Sequence, residues 1–493
     1  MKTRRPKVLL VSQNLGTPGV RSAWREYSVA LLESLKALGA EITLVVERSA
    51  EYEDAAYSGP SASAAQNAAR LSSVYRYLST GSFEPTLFYQ GRLSRMLALK
   101  APAVLAVHAR LSQRRDDAGQ APIWNEASEL TGIPERLDHL RSADRFLFLK
   151  SFYSSASLRA VYGTGPAEID AQGYDAAITD GLFPVRFRNV PAGSVVTIIH
   201  DLSTLEAPST PAKLRRITGQ ALLTLADQRG AVAFASPSVQ AQFGRIGAAI
   251  PVTRSVSLGP LASNRLLKIA AEPPVFERSK LLARADLAAE SADLSEMRAS
   301  KVVRHLLPEL FEDGSREERA GSRKWDPTLP YFVLVWPPER QVDLGLAEKL
   351  ASKAEGRANL IVLRAPSHRS AHLNLYCPEV RSEQERLALL AGASALVYPE
   401  QTGSGPALLE GVALAVPVIC PDVPLHREFA PNAVFYDGPS DGPLLSEIVR
   451  VLDAPTVKGA TTSGPLRDHD AFARRYRAEP SARLQELLGA NST

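Results

Sequence analysis

A glycine-rich turn followed by a glutamate is the part of this chain whose residue types and spacing could do chemistry. Residues 399–406 read Pro-Glu-Gln-Thr-Gly-Ser-Gly-Pro, and they separate a strand pattern at 395–398 from a helix pattern at 407–414. Gly403 and Gly405 allow the backbone to approach a ligand closely, and the helix directs free amides and its positive dipole end at the turn. The pattern favours a bound phosphate, although many such turns use Gly-x-Gly only for geometry.

Glu410 lies one turn inside that helix, within the apolar stripe formed by Leu408, Leu409, Val412 and Ala413. A carboxylate in a buried stripe needs a hydrogen-bonding partner. We therefore take Glu410 as a candidate group for binding a polar part of the same ligand.

The surrounding segment resembles the donor motif of family-4-type retaining glycosyltransferases of the GT-B fold. Leu387–Asp422 reads LALLAGASALVYPEQTGSGPALLEGVALAVPVICPD, in which Leu-Glu and Pro-Val-Ile fit the family pattern. The resemblance implies that Glu410 holds both ribose hydroxyls of a nucleoside diphosphate sugar. It also implies that the loop of Thr402, Gly403, Ser404 and Gly405 contacts the donor, with the amides after the two glycines at the diphosphate.

Three further segments resemble the same family. Gly16–Arg21 is similar to the loop at the first strand, where Gly19 would close over the donor phosphates. Val195–Leu202, VVTIIHDL, is similar to the strand that carries a histidine and an aspartate into the cleft, so His200 would bond the donor sugar. Phe472–Leu488 is similar to the final helix of the family. Without the resemblance, His200 can also be a strand-end histidine bonded to nearby backbone.

Departures from the family pattern affect catalysis more than fold. Thr402 occupies the position of the family's first Glu, and Glu400 could replace that acid only if the loop curls inward. After the first strand of the second domain, Val335 stands where the family has Arg, whereas Arg340 can stand for the family's Lys. Arg364, at the end of the next strand, is a candidate for the missing positive charge or a solvated surface residue.

A site without metal must offset the charge of the leaving diphosphate with Arg340, loop amides and the helix dipole. No DxD pair follows a strand, and His368 and His372 flank a loop where nothing else converges, so we expect no metal and no cofactor. The family analogy implies retention of anomeric configuration, with a phosphate oxygen taking the acceptor proton. An inverting enzyme would instead use a base in the first domain, for which Asp201 or His200 is available, and the sequence leaves this open.

Strand patterns alternate with helix patterns along the chain, which predicts an α/β fold of two Rossmann-like domains. The GT-B resemblance implies that their parallel sheets face each other across a cleft. The predicted domains are 1–261, an acceptor-side domain with a helical insertion at about 48–165, and 330–470, which binds the nucleotide sugar. Residues 262–329 form a connector with a helical insertion, and 471–493 form a helix that crosses back to the first domain.

The predicted strands are short apolar runs bounded by polar or glycine-bearing loops. They are Lys7–Val11, Glu41–Val46, Tyr174–Thr179, Val195–Ile199, Ala231–Ala235 and Val252–Leu258 in the first domain, and Tyr331–Val335, Leu360–Leu363, Leu373–Tyr376, Ala395–Tyr398, Val416–Ile419 and Val434–Tyr436 in the second.

Composition excludes several classes of protein. The chain has 57 basic and 53 acidic residues with interspersed signs, a net charge of +4, so nothing indicates nucleic-acid binding. Cys377 and Cys420 lack metal-ligand spacing and suit a reducing compartment. The apolar run at 8–11 is too short for a signal peptide, so we expect a cytoplasmic protein.

Basic residues around the apolar stretch 96–107 fit either a helix on the inner face of the plasma membrane or a solvated insertion.

The function predicted is transfer of a hexose-type sugar from a nucleoside diphosphate sugar to a glycan, lipid-linked or other acceptor, in cell-surface polysaccharide synthesis. A nicotinamide-dependent oxidoreductase fits less well, because the third glycine of its fingerprint would fall on Leu408. A sugar-nucleotide epimerase or a phosphorylase shares the expected fold. A non-catalytic sugar-nucleotide-binding or scaffold protein is the alternative from another class, for which Thr402 and Val335 are the evidence.

Overall fold

The computed structural model describes residues 5–16, 24–47, 123–124, 142–149, 152–163, 165–191, 193–206, 210–247, 249–272, 329–337, 342–363, 374–377, 383–401, 405–438, 441–453 and 469–489. Two compact units divide the chain. Unit 1 is Met1–Ser263 together with Arg475–Thr493, and unit 2 is Asn264–Arg474.

Unit 1 contains an eight-stranded sheet and a separate two-stranded sheet. The strands are β1 Lys7–Ser12, β2 Glu41–Glu47, β3 Ile123–Trp124, β4 Arg145–Leu149, β5 Ala167–Asp170, β6 Ala176–Asp180, β7 Val185–Arg188, β8 Val195–Ile199, β9 Ala231–Phe234 and β10 Arg254–Ser257. The large sheet has the order β10-β9-β8-β6-β1-β2-β4-β3, and every neighbouring pair is parallel except β3 with β4. β5 pairs in parallel with β7.

The order of the large sheet creates a switch point at the β1–β6 pair, because β1 lies between β2 and β6. Ligands of doubly wound sheets bind beyond the carboxyl ends of the strands at such a point. Ser12, the last residue of β1, is the register partner of Asp180, the last residue of β6. β8 runs on the other side of β6, and His200 follows its last residue. The fold therefore brings Ser12, Asp180 and His200 to one edge.

Helices cover this sheet. They are α1 Gln13–Gly16, α2 Arg25–Ala37, α3 Phe152–Tyr162, α4 Ser203–Glu206, α5 Ala212–Gln228 and α6 Pro237–Ile246. Helix α2 forms because Tyr27, Leu31 and Leu35 share one face, and all three are fully buried. Gly39 follows it with φ +82°, a left-handed conformation that glycine adopts without strain.

The segment from 142 to 162 differs from the expectation of a mainly helical insertion. Arg145–Leu149 is an internal strand, paired in parallel with β2 from Thr43 onward. Helix α3 follows it, and the Tyr153 hydroxyl donates a hydrogen bond of 2.8 Å to the Val45 carbonyl. The sequence RFLFL is a short apolar run of the kind that forms buried strands, and its flanking basic residues do not prevent this.

Unit 2 is built on a six-stranded parallel sheet with the order β13-β12-β11-β14-β15-β16. Its strands are β11 Tyr331–Leu334, β12 Asn359–Val362, β13 Leu375–Tyr376, β14 Ala395–Val397, β15 Val418–Pro421 and β16 Val434–Tyr436. Its helices are α7 Asn264–Ala271, α8 Leu344–Ala354, α9 Glu383–Ala391, α10 Pro406–Ala413, α11 Pro424–Phe429, α12 Asp441–Asp453 and α13 His469–Ala473. A π-helical turn at Arg474–Ala478 leads into α14, Glu479–Gly489, in unit 1.

The predicted α/β class, with two domains built on parallel sheets, is confirmed by this topology. In unit 2 the strand order reverses at the β11–β14 pair, so the turn after β14 lies at a switch point as well. Each unit has its own buried apolar core around its sheet.

Candidate functional site

Six of the predicted site residues lie outside the described residues: Gly19, Arg340, Arg364, Thr402, Gly403 and Ser404. His368 and His372 also lie outside them. The predicted site residues that the structure describes are His200 and Asp201 in unit 1, and Gly405 and Glu410 in unit 2.

Gly405 is the N-terminal cap of α10, directly before Pro406. A Cβ atom at position 405 would lie 2.3 Å from Cδ2 and 2.4 Å from Cγ of the Phe429 ring, which is fully buried. Glycine is therefore required here for the packing of α10 against α11. As α10 follows the switch-point strand β14, its first amides lie near the carboxyl edge of the sheet, where an anion can bind.

The Glu410 carboxylate is held by two arginines from two other helices of unit 2. Arg265 of α7 donates from Nη2 to Oε1 at 2.7 Å, and Arg386 of α9 donates from Nη1 to Oε2 at 2.6 Å. Arg386 also donates from Nη2 to Oε1. Glu383 accepts from Nε and Nη2 of Arg386 at 2.9 and 2.7 Å, and from Nη1 of Arg265 at 2.7 Å. The four side chains form one ion-pair cluster, hereafter the Glu410 cluster.

Burial and charge act in opposite directions on the pKa of Glu410. Burial alone would raise it, but the charges and hydrogen bonds of Arg386 and Arg265 outweigh this and lower the pKa to about 2. Burial would likewise lower the pKa of Arg386, yet Glu410 and Glu383 raise it. Glu410 is therefore ionised at neutral pH. Arg265 and Arg386 already supply hydrogen-bond donors to its carboxylate.

His200 forms the centre of a second cluster, at the switch point of unit 1. Its Nε2 atom lies 2.7 Å from Oδ1 of Asp180, and both side chains are buried. Ser12 donates from Oγ to Oδ2 of Asp180 at 2.6 Å. His200 thus has a carboxylate as its hydrogen-bond partner.

Asp180 is ionised despite its burial. Burial would raise its pKa, but the charge of His200 and hydrogen bonds from His200, Ser12 and Ser28 lower it. An ionised carboxylate can only accept, so Nε2 of His200 carries a proton toward Asp180. In the neutral ring, Nδ1 is then the acceptor.

Two aromatic rings fix the orientation of the His200 ring. Trp24 stacks on it with ring centroids 5.0 Å apart and an interplanar angle of 16°, and Tyr27 meets it edge-on at 5.2 Å. Asp201 contacts the stacked tryptophan: its Oδ2 accepts from Nε1 of Trp24 at 2.9 Å, and its Oδ1 accepts from the amide and hydroxyl of Ser203 at 3.0 and 2.7 Å. The structure places Asp201 behind Trp24 as a support.

Sequence reasoning missed Asp180, Trp24, Arg265 and Arg386. Asp180 could have been found from the sequence, because it is an acid at the end of a buried strand. His200 was recognised from the similar position directly after another buried strand. Arg386 had a weaker signal: a buried carboxylate requires a donor, and this arginine precedes Glu410 on a neighbouring helix. Nothing in the sequence pairs Arg265 with a residue 145 positions away.

Among the residues described above, no three His, Cys, Asp or Glu side chains converge in a way that could hold a metal ion. Within the same ranges, no helix combines the length and the apolar character needed to cross a bilayer.

No protein-family profile and no curated protein sequence matches the chain. Solved structures do match over nearly the whole length. The α,α-trehalose 6-phosphate synthase of Burkholderia multivorans is 10% identical with a TM-score of 0.49, covering 99% of this chain and 98% of that chain. The N-terminal domain of Candida albicans trehalose-6-phosphate phosphatase is 11% identical with a TM-score of 0.47, at 99% and 98% coverage. The glycosyltransferase SnogD from Streptomyces nogalater is 14% identical with a TM-score of 0.34, at 99% and 100% coverage.

Proposed function

We propose that this chain is a glycosyltransferase that moves a hexose-type sugar from a nucleoside diphosphate sugar to a glycan, lipid-linked or other acceptor. The observation that carries the proposal is Glu410, an ionised carboxylate one turn inside a helix that starts at the switch point of a parallel sheet. This is where the donor-motif resemblance requires a ribose-binding acid. Cell-surface polysaccharide synthesis, a cytoplasmic location and contact with the inner membrane face belong to the same proposal.

On the donor side, the first amides of α10 and the loop of Thr402, Gly403 and Ser404 bind the diphosphate. Gly405 follows this loop as the N-terminal cap of α10, where it packs on Phe429. Arg340 and Arg364 complete the phosphate site in the proposal, on the basis of the sequence. Fixed dipoles and positive charges at that position stabilise the departing diphosphate, so no metal ion is required.

In unit 1, the proposal gives His200 the role of a sugar-binding group, through Nδ1. Asp180 and Trp24 orient its ring, and Asp201 orients Trp24. Transfer with retention breaks the bond between the anomeric carbon and the phosphate oxygen and forms a bond to the acceptor oxygen on the same face. The acceptor proton passes to the departing phosphate oxygen. An inverting reaction would instead use Nδ1 of His200 as the base that takes this proton.

The proposal is tested by incubating the protein with UDP-, GDP- and ADP-sugars and extracts containing acceptors, and measuring release of the nucleoside diphosphate. Activity that is lost in His200→Asn supports it. Substituting the exposed His469 in the same way provides the control, since its side chain is 44% exposed in unit 2. Absence of both nucleotide binding and release would refute the proposal.

A non-catalytic sugar-nucleotide-binding protein is the second candidate. It is favoured by Val335, which follows β11 at the switch point of unit 2 and supplies no positive charge where the donor-motif family has an arginine. This candidate predicts nucleotide binding in calorimetry together with no turnover of any sugar nucleotide.

A further inference from the structure

The acceptor positions of the Glu410 carboxylate are mostly occupied by the protein itself. A carboxylate offers about four lone-pair positions, two on each oxygen. Oε1 accepts from Arg265 and from Arg386, so both of its positions are used. Among the residues that the structure describes, Oε2 accepts from Arg386 alone, so one position remains. The side chain of Glu410 is 12% exposed, so the carboxyl group is not fully enclosed by the described residues.

The two arginines are fixed in place, so a ligand cannot displace them at little cost. Arg386 is also bonded twice to Glu383, which lies on the same helix three residues earlier. Arg265 is bonded to the same Glu383 carboxylate. Moving either guanidinium away from Glu410 would break charge-assisted hydrogen bonds to two carboxylates, and these are about twice as strong as neutral ones.

From this geometry we infer that Arg265 and Arg386 are specificity-determining residues that limit Glu410 to a single ribose hydroxyl of the nucleotide. The inference rests on the proposed function, and it departs from the two-hydroxyl contact that the sequence resemblance implies. One ribose hydroxyl donates to Oε2 of Glu410, and the other makes no contact with this carboxylate. The protein therefore distinguishes a ribonucleotide from only one of its two monodeoxy forms.

The first test needs no variant. The nucleoside diphosphate among UDP, GDP and ADP that binds most tightly is compared by calorimetry with its 2′-deoxy and 3′-deoxy forms. One form is expected to bind about ten- to a hundredfold more weakly, the effect of one hydrogen bond to a charged acceptor, and the other within about twofold of the ribonucleotide. Equal weakening of both forms, or of neither, overturns the inference while leaving nucleotide binding intact. If none of the three diphosphates binds, the result contradicts the proposed function itself, on which the inference rests.

The second test is Arg265→Met, which frees one lone pair on Oε1 while Arg386 still holds the carboxylate. Glu410 can then receive both hydroxyls, so the previously tolerated deoxy form should also become about tenfold weaker than the ribonucleotide. A merely structural role of Arg265 would weaken all three nucleotides alike and would contradict the inference. Arg450→Met is the matched control, because Arg450 is 67% exposed and pairs with Glu447 three residues earlier on α12. The nucleotide discrimination of this variant should equal that of the wild type.

Discussion

His200 and Asp180 are joined by a 2.7 Å contact between Nε2 and Oδ1, although 20 residues separate them in sequence. The contact exists because β6 and β8 are parallel neighbours in which Asp180 is the register partner of Ile198, so His200, two residues further on, lies just beyond Asp180 at the carboxyl edge. Ser12 approaches Asp180 from β1, on the opposite side of β6. Three adjacent strands of the switch point thus hold one imidazole in one orientation.

Asp180→Asn tests the orientation of His200. The amide removes the negative charge that keeps the proton on Nε2, so Nδ1 no longer faces the substrate as a fixed acceptor. We expect turnover to fall by about a hundredfold, while the affinity for a nucleoside diphosphate, which the proposed function assigns to unit 2, stays unchanged. Asp227→Asn serves as control, since Asp227 is an exposed residue of unit 1 paired with Arg186. Equal turnover in both variants would show that Asp180 does not act through His200.

The acid dependence of stability tests the ionised state of Glu410. Its folded pKa of about 2 lies below the ordinary value of 4.5, so its stabilising contribution is fully present above about pH 4.5 and is lost as the pH falls toward 2. The contribution has an upper limit of about 3 kcal/mol. In urea unfolding between pH 6 and 3, the wild type should lose its advantage over Glu410→Gln as the pH falls. A constant difference across this range would contradict the assignment.

Arg386→Ala tests the energetic importance of the Glu410 cluster. The substitution leaves the largely buried Glu410 with Arg265 as its one remaining partner in the cluster, and breaking a buried ion pair costs about 3 to 5 kcal/mol. Arg450→Ala removes an i,i+3 pair of the same spacing as Arg386 and Glu383, but Arg450 is 67% exposed, so the cost should stay below about 0.5 kcal/mol. Denaturant unfolding of both variants gives the comparison. Similar midpoints for the two would mean that the cluster is only a surface feature.

The two sheets could be predicted because buried parallel strands are short continuous apolar runs, and most of these were recognisable in the sequence. Arg145–Leu149 was missed because it lies in a long basic region that reads as helical, although RFLFL is itself a strand-like apolar run and pairs with β2. The β5–β7 sheet was missed because its strands, AEID and VRFR, carry alternating charges.

The site was predictable where one residue carries the signal, and not where the partner is distant in sequence. Glu410 and His200 stand out because a carboxylate in an apolar stripe and a histidine after a buried strand are both unusual. Their partners come from other helices and strands, and only the tertiary structure decides which arginine or aspartate arrives. The difference is largest at Glu410. The sequence indicates a carboxylate that binds a ligand, whereas two guanidinium groups already donate to most of its acceptor positions.

Gly405→Ala separates the packing role of this glycine from a role in ligand approach. The added methyl would overlap the Phe429 ring, so we expect a loss of about 1 to 3 kcal/mol in the free energy of unfolding. Gly442→Ala, in helix α12 with open space around the position, should cost nothing. Combining Gly405→Ala with Phe429→Leu should cost less than the sum of the two single changes, because the smaller side chain makes room for the methyl. Any loss of nucleoside diphosphate affinity in Gly405→Ala should come from the same overlap with residue 429. Affinity should therefore recover together with stability in the double variant. Recovery of stability without recovery of affinity would instead mean that the ligand itself requires glycine at 405.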